Sequence, residues 1–105
     1  MRKNKDFDSV FKTGKRINGR LADLRLAANN QKESRFGFVA SNSFFKPAPL
    51  RNRIKRQLRE IVRQRLTEIK KGFDVVIIAK PAIRAQDFNS IAEEVEKLLK
   101  TASLI

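Results

Sequence analysis

The chain has 105 residues, and its 24 lysines and arginines against 11 aspartates and glutamates give a net charge of +13. That length suits one small core, and that charge points to a polyanion, either nucleic acid or an acidic membrane surface. With neither cysteine nor histidine, disulfide frameworks and thiolate metal sites are excluded, and the commonest general base and metal ligand are missing.

The acids are scattered and form no evident catalytic pair, so the side chains are poorly equipped for chemistry of their own. No apolar run approaches the roughly 18 residues of a membrane span. The basic N-terminal residues are not followed by an apolar signal segment. The expectation is a single cytoplasmic domain over residues 1–105.

Taken in order, Asn4 can cap a short helix that places Phe7, Val10 and Phe11 on one face, with Gly14 just past its end. Lys12, Lys15, Arg16 and Arg20 follow, and residues 15–20 suit a short edge strand or a turn. Residues 21–28 alternate, with Ala22, Leu24, Leu26 and Ala28 on one face and Asp23, Arg25 and Ala27 on the other, which predicts a half-buried strand. After a polar turn at 29–34, residues 35–41 (RFGFVAS) predict a second strand antiparallel to the first. Phe36, Phe38 and Ala40 share one of its faces. Prolines at 47 and 49 mark residues 42–50 as a loop.

Residues 51–71 (RNRIKRQLREIVRQRLTEIKK) predict a long amphipathic helix. Ile54, Leu58, Ile61, Val62, Leu66 and Ile69 draw one apolar stripe. Asn52, Arg56, Arg59 and Arg63 fall on the opposite face, flanked by Arg53 and Lys55. A solvated helix face normally mixes signs, because like charges on neighbouring turns repel. An almost wholly positive face gains from a bound polyanion, and guanidinium forks match phosphate oxygens. Lys70 and Lys71 suit a helix C-terminus, and Gly72 a left-handed stop.

The apolar run at 73–79 (FDVVIIA) predicts a strand buried on both faces, joined to the previous strand by a parallel crossover through the basic helix. Crossovers of this kind are almost always right-handed. A last helix over 87–100 carries Phe88, Ile91, Val95, Leu98 and Leu99 as its stripe and Asp87 as its cap. The order of elements predicts an α+β sandwich.

All eight aromatic residues are phenylalanine. Each can be core, as phenylalanine usually is, or can line a cleft and stack on bases of a single strand. RFGFV partly matches the central strand of RNA-recognition-motif domains, but a helix should precede that strand and only a strand and a turn do. A helix-turn-helix is excluded likewise, since the basic helix follows a loop and a strand.

The string RNRIKRQLRE at 51–60 resembles the arginine-asparagine-arginine signature of the bacterial ribonuclease P protein family. DFDSVFKTG at 6–14 is similar to that family's opening helix, RFGFVAS to its strand before the loop, and DVVIIAKPA at 74–82 to its strand after the helix. The resemblance implies an α/β sandwich of order αβββαβα, the ribosomal protein S5 domain 2-like fold, with a short first strand near 15–17. It also implies a left-handed βαβ crossover through the basic helix.

For function, the resemblance implies a protein subunit of ribonuclease P, an endoribonuclease acting as a ribonucleoprotein. This subunit would bind the catalytic RNA and the 5′ leader of precursor tRNA, in a 1:1 complex of monomeric protein with RNA. Catalysis would lie in the RNA, and Mg2+ would be held through the RNA rather than by this chain.

Carried over by match, Arg51, Asn52, Arg53, Lys55, Arg56 and Arg59 face RNA, with Arg63 continuing their row. A leader-binding cleft would use Phe7, Phe11 and Lys12, together with Arg25, Phe36 and Phe38 on the sheet. The chain departs from the family where a lysine pair and a glycine usually precede the signature. Here stand Asn42, Ser43, Phe44 and Phe45, in a loop one residue longer. Arg25 stands where an aromatic is usual. The competing reading is a basic ribosomal-protein-like domain that binds structural RNA without a processing role.

Overall fold

A computed structural model describes residue 10 and residues 14–105 of the chain. The strands are β1 (Lys15–Ile17), β2 (Ala22–Ala28), β3 (Arg35–Val39) and β4 (Phe73–Ala79), and the helices are α1 (Ala48–Gln64) and α2 (Phe88–Thr101). A short 3-10 helix, Pro81–Ala85, links β4 to α2. Together with the helical residue Val10, this order fits the sandwich that the sequence predicts.

The strands form one sheet in the order β1-β2-β4-β3. β2 is antiparallel to both β1 and β4, and β3 is parallel to β4. The parallel crossover through the basic helix is therefore present. β2 and β3 run antiparallel to each other, as the sequence predicts, but they are not neighbours, because β4 lies between them. The physical reason is burial: β4 is the most continuously apolar strand, an interior position pairs both its edges, and its faces are covered by the helices on one side and by Val10 on the other. The turn after β2 spans the start of β4, where the Asn29 N–H donates to the Gly72 carbonyl at 2.9 Å.

Register sorts the side chains between two faces. Ile17, Leu24, Ile77 and Phe38 form one row across all four strands, on the side covered by both helices. There Leu24, Ile54, Leu58, Val75, Ile77, Ile91, Val95 and Leu99 belong to a continuous core. Adjacent to that row, and on the opposite face, run Arg16, Arg25, Val76 and Gly37. Val10 packs on this second face against Val76, with Ala27 and Ile78 beside it.

The basic helix is displaced along the chain from its expected bounds. It starts at Ala48, inside the expected loop, with Pro47 as the N-cap residue and Pro49 in the first turn. Proline is tolerated there because the first amide hydrogens of a helix have no partner within it. The helix ends at Gln64, and residues 65–68 continue as turns. Arg65 takes φ −109° and ψ 4° and donates its N–H to the Val62 carbonyl. Beyond that break the 3.6-residue period no longer applies. Ile69 is still buried, but Leu66 is 50% exposed and leaves the stripe. Lys70 and Lys71 therefore lie outside the helix, and Arg63 is the basic residue of its last turn. Gly72 does take the left-handed conformation, with φ +92°.

α2 follows its expectation closely. The Asp87 carboxylate accepts the Ser90 N–H at 2.8 Å, and this bond, with the Ser90 side chain, holds its pKa below the usual carboxylate range. Ile91, Val95, Leu98 and Leu99 are buried. Gly14 owes its identity to close approach, since a Cβ there would lie 2.3 Å from the Val10 carbonyl oxygen.

Candidate RNA interface

α1 presents its arginines because Ile54, Leu58, Ile61 and Val62 hold the other side in the core. Asn52, Arg53, Arg56, Arg59 and Arg63 are exposed, while Arg51 and Lys55 are half-buried. The row is not uniform. Arg63 donates from Nε to Glu60 Oε1 at 3.0 Å and from Nη2 to Glu60 Oε2 at 2.6 Å. That fork lowers the Glu60 pKa and raises that of Arg63. Arg63 thus carries its own counterion, although spacing alone groups it with the rest. Arg51 donates from Nη1 to the Phe45 carbonyl at 3.3 Å. The Arg59 guanidinium lies 5.8 Å from the centre of the Phe38 ring, within cation–π range.

Among the described residues, Arg53, Lys55 and Arg56 make no ion pair. Several acids of the described residues are committed elsewhere. Glu96 pairs with Lys100 at 3.2 Å and with Arg65, and lies below its usual pKa through both, Lys100 most strongly. Glu33 lies 3.9 Å from Lys71. The Glu94 carboxylate accepts the Leu21 N–H at 2.9 Å. Asp23 lies 3.3 Å from Lys80 and accepts the Gly19 N–H at 3.1 Å. Among the described residues, no acid forms an ion pair with the cations of α1 from Arg53 to Arg59.

The second expected surface is only partly assembled. Arg25 lies on the sheet face opposite the helices, in the row with Arg16, and Val10 packs on that same face. Phe36 and Phe38 do not join it. Strand alternation turns them to the helix side, where they pack against the main core. They therefore cannot line one cleft with Arg25, and their placement among the cleft residues is corrected. The expected cleft residues Phe7, Phe11 and Lys12 lie outside the described residues.

The Arg25 face also holds a buried charge that spacing alone does not single out. Asp74 is 3% exposed. It accepts from Arg35 Nε at 2.8 Å, Arg35 Nη2 at 2.7 Å and Asn29 Nδ2 at 3.0 Å. Burial would push its pKa up, but the Arg35 fork and the Asn29 amide together outweigh it and hold the carboxyl below its usual range. An aspartate inside an apolar strand run was the available signal. No group of three or more acidic, histidine or cysteine residues that could hold a metal ion occurs among the described residues. No helix among them is long and apolar enough to cross a membrane.

The family model for Ribonuclease P matches residues 1–103. The ribonuclease P protein component of Syntrophomonas wolfei is 35% identical over 104 residues, which cover 99% of this chain and 87% of the relative. That of Clostridium botulinum is 36% identical over 105 residues, covering 99% and 94%. Among solved structures, the RNase P protein of Thermotoga maritima superposes with a TM-score of 0.87 at 33% identity, covering 96% of this chain and 94% of that one. The Staphylococcus aureus RNase P protein superposes with a TM-score of 0.91 at 28% identity, covering 99% and 94%. An open arginine face on this sandwich and these full-length likenesses lead to one assignment: the chain belongs to the ribonuclease P protein family, whose members are protein components of the ribonuclease P ribonucleoprotein and partner its RNA.

Proposed function

We propose that this chain binds the catalytic RNA subunit through the exposed side of α1, with Arg53, Lys55, Arg56 and Arg59 neutralising phosphates. The observation that carries this reading is the run of cations that have no acidic partner among the described residues, on a helix whose other side is locked in the core. The 5′ leader of precursor tRNA would lie on the sheet face that bears Arg16 and Arg25, beside the N-terminal segment containing Val10. Phe7, Phe11 and Lys12 would join that surface. Contacts of this kind tolerate any base, because every base has a face to stack and a phosphate to neutralise.

Cleavage would be carried out by the RNA, and Mg2+ would take RNA phosphates as its ligands, as a hard cation prefers. The protein's contribution would be electrostatic: fewer uncompensated phosphates around the substrate lower the magnesium the complex needs. The working unit would be one protein with one RNA, in the cytoplasm.

The test is cleavage of precursor tRNA by a bacterial ribonuclease P RNA at low magnesium, with and without the protein. Stimulation by the wild-type protein, lost on joint replacement of Arg53 and Arg56 by alanine, is the expected result. Tight binding to that RNA with no stimulation of cleavage would overturn the processing role and leave the structural RNA-binding reading.

A further inference from the structure

The loop between β3 and α1 carries two adjacent phenylalanines with opposite surroundings. Phe45 is 0% exposed and belongs to the core, whereas Phe44 is 51% exposed. The turn that separates them is well tied. The Ser41 carbonyl accepts the Phe45 N–H at 2.9 Å and the Phe44 N–H at 3.3 Å, and Ser41 Oγ accepts the Ser43 N–H at 3.0 Å. With Phe45 anchored below, the Phe44 ring is held outward. Folding gains little from an aromatic ring left in water, since the benefit of such a side chain comes from its burial.

Two guanidinium groups converge on this turn from separate elements. Arg51 Nη1 reaches the Phe45 carbonyl, and Arg84 Nη1, from the 3-10 helix after β4, lies 3.5 Å from the Phe44 carbonyl. Neither arginine forms an ion pair among the described residues. An exposed ring flanked by cations offers what one nucleotide needs: a flat apolar surface for the base and a positive charge for the phosphate.

We infer that Phe44 is a stacking platform for an unpaired base of the ribonuclease P RNA, with Arg84 taking a neighbouring phosphate. The inference rests on the RNA-binding reading of α1, whose N-terminal end this turn adjoins. It assigns the contact to the RNA subunit rather than to the leader, because the turn lies at the start of α1 and not on the Arg25 face.

The chain contains no tryptophan and no tyrosine, so Phe44→Trp introduces a single indole reporter at the site. Circular dichroism of each variant establishes that it folds. Titration with ribonuclease P RNA should quench the indole emission as the base stacks. Phe44→Ala should weaken RNA binding about 5- to 150-fold, the range for loss of one stacked base. Phe44→Leu, apolar but without a π-face, should lose nearly as much, and Phe44→Tyr should bind almost as wild type. Arg84→Ala should flatten the salt dependence by about 0.7 in the log–log slope.

RNA binding with unchanged indole emission, or with Phe44→Ala equal to wild type, would overturn the inference while leaving the reading of α1 intact. Emission that shifts with protein concentration in the absence of RNA would overturn it in favour of a contact between copies. Failure of the wild-type protein to bind the RNA would remove the reading of α1 and this inference together.

Discussion

Replacing Asp74 by asparagine keeps the shape of the side chain and removes its charge. The carboxylate accepts three hydrogen bonds, two from Arg35 and one from Asn29, at 2.7 to 3.0 Å. In Asp74→Asn one oxygen survives as an acceptor, while the new amide N–H group faces donors. The loss is about one charge-assisted bond, at roughly 1.5–3 kcal/mol, plus a donor–donor conflict. Breaking a fully buried pair costs about 3–5 kcal/mol. This case falls below that range because the Arg35 side chain is 36% exposed and can be rehydrated.

We therefore expect about 2–3 kcal/mol of destabilisation at pH 7, or a melting temperature lower by roughly 10 °C. The assay is urea unfolding followed by far-UV circular dichroism, on both proteins, from pH 7 down to pH 2. Since the folded pKa of Asp74 is depressed, its stabilisation is complete above the unfolded value of about 3.9 and is lost as pH falls through the folded value. The gap between wild type and variant should stay constant from pH 7 to about pH 5 and close below about pH 4. A gap under about 0.5 kcal/mol at pH 7, within the ordinary scatter of surface changes, would refute the reasoning. So would a gap that persists unchanged at pH 2.

Four further outcomes follow from the same geometry. Phe45→Ala should cost about 3–5 kcal/mol in urea unfolding, whereas Phe44→Ala should stay within about 0.5 kcal/mol of wild type. Gly19→Ala should destabilise by roughly 1–3 kcal/mol, because its Cβ would lie 2.4 Å from the Ala22 carbonyl oxygen and 2.3 Å from Glu94 Oε2; calorimetry reads this directly. Arg56→Ala should leave the melting temperature unchanged yet flatten the salt dependence of RNA binding by about 0.7 per lost phosphate contact. Glu60→Gln should release Arg63 and steepen that dependence by a similar amount, so an unchanged slope would remove Arg63 from the RNA face.

Much of this protein is legible in the residue pattern, because local periodicity records which side of each element meets the core. The stripe from Ile54 to Val62 and the stripe from Ile91 to Leu99 place both helices, and each proves buried. Alternation around Leu24 and Phe38 gives two strands, and the unbroken run through Val75 to Ile77 marks the strand buried on both faces. The arginine face of α1 could be read because opposite faces of one helix are set by its own sequence.

What local pattern cannot supply is which elements meet, since strand order and register depend on contacts far apart in the chain. The insertion of β4 between β2 and β3 followed from its greater burial, and that register turned Phe36 and Phe38 away from Arg25. The end of α1 at Gln64 was likewise hidden in an apolar stripe that continues in sequence beyond the helix. Only the folded chain distinguishes two adjacent phenylalanines. Phe45 fills the core beside α1, and the turn tied at Ser41 leaves Phe44 half in water, because adjacent side chains in that turn point to different sides.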